Sequence, residues 1–182
     1  MKFSDIKPFT KRASYAVDIP LNYLKKTLNE YYINEMNLIM EPDFQRGHVW
    51  TKKQKIAYVE YFLRGGLSGK DIYFNHPNWH YNARSNYNEF VLVDGLQRLT
   101  ALLDFLNDKF KVFGYYYSEY QGYPSLEHSL RFHINDLKSR SEVLNWYLEM
   151  NTGGTVHSKK EIDRVTNLYQ EAINEERIYN EN

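Results

Sequence analysis

The chain has 182 residues, room for one ordinary domain and too little for two with cores of their own. Lys plus Arg and Asp plus Glu both total 23, so no net field draws the chain onto duplex DNA or an anionic membrane, and any such contact has to be local. The lack of cysteine excludes disulfides, thiolate zinc sites and cysteine nucleophiles, while 17 Tyr and 10 Phe in a chain that is 42% hydrophobic argue against disorder.

Pro20 suits the first turn of a helix, and Leu21, Leu24, Leu28 and Tyr31 follow at helical spacing, which predicts a helix over about 20–33. Residues 38–40 read as a short extended piece and 41–46 as loop, because Pro42 disfavours helix at the residue before it. Thr51 and Gln54 form a capping-box pattern, and Ile56, Val59 and Leu63 mark one apolar face, predicting a helix over about 52–63 that Gly65 and Gly66 end. Residues 71–75 and 90–93 read as strands, the second a continuous apolar run of the doubly buried kind. The polar stretch between them, about 76–88, has the length of a functional or disordered loop.

Leu99, Leu102, Leu103 and Leu106 make the strongest helical stripe in the chain. Residues 111–120 and 130–134 read as further strands. Ser139 and Glu142 open a helix to about Met150 that carries Val143, Leu144, Tyr147 and Leu148 inward and closes at the turn 151–154. Ser158 and Glu161 cap the last helix, with Ile162, Val165 and Tyr169 facing the core. No repeat or linker divides the chain, so 1–182 reads as a single domain with 175–182 a flexible tail. No apolar run reaches the roughly 18 residues of a membrane span and the N-terminus lacks a signal-peptide core, which implies a cytoplasmic protein.

Three segments carry candidate chemistry. In Val93-Asp94-Gly95-Leu96-Gln97-Arg98 a buried strand turns through glycine into a helix and presents unpaired backbone N–H groups, which attract phosphate. Arg98 is placed to fork onto phosphate oxygens, Gln97 to hydrogen-bond an adjacent group, and Gly95 to admit an anion close to the backbone. Asp94 as N-cap with Gln97 as its capping-box partner accounts for the same residues without any ligand. The second segment is Gln45-Arg46 with His48, which opens onto Lys52, Lys53 and Lys55. Three cations at a helix start oppose the macrodipole, a conflict that a nearby anion or plain solvation would relieve. The third, Asn151 to Thr155, is either a nest of N–H groups or a chain reversal. His76 and His80 have the spacing of a helical metal pair, but Pro77 and Asn78 argue against a helix there and no zinc is expected. Trp79, Tyr81, Tyr87 and Arg84 are candidates to stack on bases, or to tuck against the body.

In order and spacing, these segments resemble the N-terminal domain of GmrSD-type restriction enzymes, a family with a DGQQR motif on a ParB/sulfiredoxin-like fold. The motif here is Asp94-Gly95-Leu96-Gln97-Arg98, with Leu96 in place of the first Gln. A proline-to-QR segment followed by Trp is matched by Pro42, Phe44, Gln45, Arg46 and Trp50, and an NTGG loop before a capped helix by Asn151 to Gly154 with Ser158 and Glu161. The resemblance covers about 36–168. It implies an α+β fold, a small mixed sheet with surrounding helices, and a metal-dependent nucleoside triphosphate hydrolase.

On that resemblance Asp94, Gln97 and Arg98 are the catalytic candidates, with Asp94 also the metal ligand. Gln45, Arg46, Gly95, Leu96, Asn151, Gly153 and Gly154 would bind the nucleotide, and Mg2+ or another divalent cation would accompany it. The family's nuclease domain lies further along the chain than this sequence extends. DNA cleavage is therefore not implied, and a short phage-encoded form acting in restriction or phage–host conflict is. Two other readings make the chain a DNA-binding or nicking protein, or a non-catalytic inhibitor or sensor of a host defence protein.

Overall fold

The computed structural model describes residues 1–10, 13–80, 85–152 and 158–181. Strand β1 (Tyr15–Pro20) leads into helix α1 (Leu21–Lys26), which continues as a π-helical stretch over Thr27–Glu35. Then come α2 (Lys52–Leu63), β2 (Asp71–Asn75), β3 (Val91–Asp94) and α3 (Leu96–Leu106). The chain closes with β4 (Ser129–Asn135), α4 (Arg140–Thr152) and α5 (Lys159–Glu181). The four strands form one mixed sheet in the order β1-β4-β2-β3, with β4 and β2 parallel and the outer pairs antiparallel. The fold is α+β, as the sequence predicts.

Alternating side chains divide the sheet between two cores. Ile72, Phe74, Leu92, Phe132 and Ile134 face α1, α2 and α3, whose Leu24, Val59, Phe62, Leu99 and Leu102 complete the first. Val91 and Val93 face α4 and α5, whose Val143, Leu144, Trp146 and Val165 complete the second together with Phe44. Each fully buried side chain of this kind stabilises the fold by about 1.5 to 3 kcal/mol. β3, apolar on both faces, is therefore the strand that both layers grip.

The capping residues set helix starts where the sequence places them. Thr51 Oγ1 accepts from Gln54 N at 3.3 Å while Thr51 N donates to Gln54 Oε1 at 2.8 Å. Ser139 with Glu142 and Ser158 with Glu161 form the same reciprocal pair. The first helix departs from expectation: Tyr32, not Tyr31, is buried, because the wider π-helical turn advances the inward position to Leu24, Leu28, Tyr32.

Residues 111–120 are not a strand. Val112 and Tyr115 exchange backbone hydrogen bonds of 2.8 and 3.0 Å across Phe113 and Gly114, both at positive φ, and a 3-10 turn over Tyr117–Glu119 follows. Aromatic richness there reflects a tight turn packed on the end of α3, which β propensity does not distinguish from a strand. β1, which the sequence did not reveal, is an edge strand that buries Val17, Ile19 and Pro20 only in part, too weak an alternation to register. α5 continues through Glu181, so residues 175–181 are helical.

Candidate functional site

Strands β2 and β3 pair as Tyr73 with Asp94 and then Phe74 with Leu92, so Val93 is an extra residue and β3 bulges at its end. The chain turns at Gly95, whose φ of 110° and ψ of 6° lie in the left-handed region. A Cβ at that position would sit 2.6 Å from Ile72 Cδ1 and 3.1 Å from Ile72 Cγ2. Glycine is thus required twice over, by conformation and by the close approach of β2. Among the described residues no side chain caps α3, and Leu99 N–H bonds Gly95 O at 2.9 Å, which leaves the amides before it as the orphan donors of a helix start. The alternative in which Asp94 is N-cap to Gln97 does not form.

Two guanidiniums reach this point. Arg98, one turn into α3, is ion-paired with Asp94, and their side chains are 20% and 38% exposed. Arg46 arrives from the loop before α2 and has no ion-pair partner among the described residues. Its charge acts on Tyr147, where burial pushes the phenol up to about 12 and Arg46 pulls the other way. Both arginines line one cavity of about 540 Å3, together with Gln45, Asp94, Gly95, Leu96, Gln97 and Asn151. Leu96 is 4% exposed and packs into the first core, so what it can offer a ligand is its backbone N–H.

The two glutamines are tied to backbone. Gln97 Oε1 accepts from Val49 N and Trp50 N, both at 3.1 Å, and its Nε2 donates to Gly47 O at 3.1 Å, which leaves one amide hydrogen for the cavity. Gln45 Nε2 donates to Leu92 O at 3.1 Å and Val93 O at 2.7 Å, the carbonyls at the bulge, which leaves its Oε1. Between them these side chains fasten the loop 45–50 to the end of β3 and the start of α3. Asn151 lies in the last turn of α4 beside the cavity, its Nδ2 donating to Tyr147 O at 2.7 Å. Gly153 and Gly154 lie outside the described residues.

Sequence reasoning missed the aromatic wall. Trp50, Tyr58, Tyr61 and Tyr147 line the cavity beside Ser68, Gly69 and Met150. Trp50 meets Tyr58 edge-on at 5.4 Å, and the Tyr58 hydroxyl donates to Gly69 O at 2.8 Å, with burial raising its pKa. Ser68 N–H and hydroxyl both bond the Tyr61 oxygen, and these bonds lower the pKa of that exposed phenol. A signal was available: Tyr58 and Tyr61 stand three apart on α2, off its Ile56 and Val59 stripe.

Other candidates resolve differently. Lys55 is bonded to Asp104 of α3 at 2.7 Å, so it joins two helices, while Lys52 and Lys53 are exposed. Trp79 packs against Tyr15, Tyr32 and Phe90, and Tyr87 against the second core. His76 and His80 lie at a turn, and Tyr81 and Arg84 fall outside the described residues. Among the described residues no group of three His, Asp or Glu side chains could hold a metal ion, and Asp94 is the one carboxylate lining the cavity. That donor set fits a hard cation that brings phosphate and water oxygens with it, as Mg2+ does, and not a dedicated protein cage.

No curated protein and no solved structure matches the chain. The family model described as GmrSD restriction endonuclease, N-terminal domain, matches residues 24–181. That span holds both arginines, the bulged strand, the glycine turn and every residue lining the cavity. The chain belongs to the family of GmrSD restriction endonuclease N-terminal domains.

Proposed function

We propose that the cavity receives the phosphates of a nucleotide and that the protein hydrolyses a nucleoside triphosphate, accompanied by a divalent cation, in a function related to restriction. The observation that carries this reading is Arg46, a guanidinium without a counter-ion among the described residues, beside Arg98 over the start of α3. A charge-assisted hydrogen bond contributes about 1.5 to 3 kcal/mol and micromolar affinity needs about 8, so roughly three to five such bonds must converge. Two guanidiniums and the amides of Leu96 and Gln97 supply that number.

Arg46, Arg98 and Asp94 leave the cavity one net positive charge, far short of a triphosphate. Binding would draw Arg98 from Asp94 onto a phosphate and free the Asp94 carboxylate for Mg2+, which when bound withdraws charge from the phosphate oxygens. Gly95 lets the phosphates approach the backbone, and Gln45 and Gln97 hold the loop that presents Arg46. The aromatic wall offers a nucleobase flat surfaces and keeps water from the reacting phosphate.

Titration of ATP, GTP, CTP and UTP with and without Mg2+, read by calorimetry and by released phosphate, tests the proposal. Saturable binding that strengthens with Mg2+ and is weakened roughly 10- to 150-fold in Arg46→Ala is the expected result. At about a hundred times the dissociation constant a nucleotide adds roughly 2.7 kcal/mol of stability. The absence of both heat and a shift in Tm, with every nucleotide tried at millimolar concentration, would overturn it.

A further inference from the structure

We propose that Arg164, on α5, is a positioning residue for this site: it holds the backbone immediately before Arg46 so that the two arginines meet across the cavity. The inference rests on the phosphate-binding reading above. Arg164 Nη1 donates to Asp43 O at 2.6 Å, and Nη2 donates to Phe44 O at 2.9 Å and to Gln45 O at 3.4 Å. Three consecutive carbonyls thus point at one guanidinium. Carbonyl oxygens turned toward a common point repel one another, and a planar cation with several donors is what makes the arrangement stable.

The next residue is Arg46. On its other side Gln97 fastens Gly47, Val49 and Trp50. Arg46, itself without an ion-pair partner among the described residues, is therefore suspended between two clamped stretches. Arg140 of α4 adds a further tie to Asp43, its Nη2 donating to both carboxylate oxygens, Oδ1 at 2.9 Å and Oδ2 at 2.6 Å, which anchors the start of the same segment. Arg164 is exposed, so its contribution is these bonds and not core packing. A lysine there keeps the charge but loses the fork that spans three acceptors.

The test compares wild type, Arg164→Ala and Arg164→Lys. Backbone hydrogen exchange of the ligand-free proteins reads the loop without any nucleotide, and titration with ATP and Mg2+ reads the site. Arg164→Ala should speed exchange at residues 43–47 while leaving β2, β4 and α3 unchanged, and should weaken ATP binding at least fivefold. Arg164→Lys should fall between. In the hydrolysis assay the loss should appear in KM more than in kcat, which general destabilisation would not produce. Unchanged exchange over 43–47 in Arg164→Ala, or faster exchange with unaltered ATP affinity, would overturn the role of Arg164. A wild type that binds no nucleotide, with the exchange effect still present, would instead sink the functional reading and leave the loop clamp standing.

Discussion

The two ends of α3 each open onto a cavity of similar size, about 540 Å3 at the N-terminus and about 470 Å3 at the C-terminus, yet they are chemically unlike. At the start, backbone amides are uncapped and two guanidiniums converge. At the finish, the last carbonyls are satisfied by turn amides, with Asn107 N and Asn107 Nδ2 both on Leu103 O, Asp108 N on Phe105 O and Lys109 N on Asp104 O. The cavity there is lined by Phe105, Phe113, Tyr117, Tyr120, Tyr123 and His128, with no carboxylate, lysine or arginine among its lining residues. Volume therefore says little about function in this molecule; the direction of the helix and the charge at each end say more.

That contrast can be broken most severely at Gly95. An alanine there must adopt positive φ and place its Cβ 2.6 Å from Ile72 Cδ1, so Gly95→Ala should cost about 2 to 5 kcal/mol in urea unfolding. Trimming the opposing methyl in Ile72→Val should recover part of the loss, a coupling that a double-mutant cycle measures. Next in size is Arg46→Ala, which should weaken nucleotide binding by about 1.5 to 3 kcal/mol and leave unfolding stability within about 0.5 kcal/mol of wild type, since Arg46 has no ion pair to lose among the described residues. Arg98→Ala is a less clean test, because it also strands Asp94, although that carboxylate is exposed enough to limit the cost to less than about 1 kcal/mol.

The other end of α3 should respond in stability alone. Phe113 holds φ at 49° in a two-residue turn, a conformation asparagine tolerates better, and its ring lies under Arg64 at 5.1 Å. The relieved left-handed strain is offset by the lost cation–π contact and the ring's partial burial, so Phe113→Asn should change stability by no more than about 1 kcal/mol with nucleotide affinity unchanged. A fall in affinity would show that the two ends are coupled.

Between them, Asp104 ties α3 to α2 through Lys55 and also bonds Lys109. Burial works to raise its pKa, but the hydrogen bonds and charges of Lys109 and Lys55 outweigh burial and lower it. A depressed carboxylate stabilises the fold above its unfolded value of about 4, and that contribution fades as pH falls through the folded value. The stability difference between wild type and Asp104→Asn should thus be constant above about pH 5 and shrink below pH 4. A difference that persisted at pH 2 would contradict the ion-pair origin.

How much of this was legible depended on whether the cause is local. The strand–glycine–helix turn, the capping boxes and the α3 stripe follow from residues within one or two turns of each other, and the sequence shows them plainly. Arg46 and Arg98 could be named from their motifs, but not the cavity between them, because it is assembled by ties 47 to 121 residues long: Gln45 to Val93, Gln97 to Trp50, Arg140 to Asp43, Arg164 to Asp43. Gln97 illustrates the limit. Its position three residues after Asp94 reads as a capping partner, and only the fold shows its amide turned to a loop fifty residues upstream. The aromatic wall was hidden for a related reason, since Tyr147 reads equally well as core and nothing local joins it to Tyr58 and Tyr61.

On this reading anionic oxygens bind at the start of α3 and nowhere near its end. Backbone and guanidinium NMR shifts during titration with ATP and Mg2+ test it most directly. Saturable shifts should appear at Gly95, Leu96, Gln97 and the side chains of Arg46 and Arg98, with residues 113–123 undisturbed. Shifts confined to the aromatic end, or a silent Gly95 amide beside clear binding elsewhere, would contradict it.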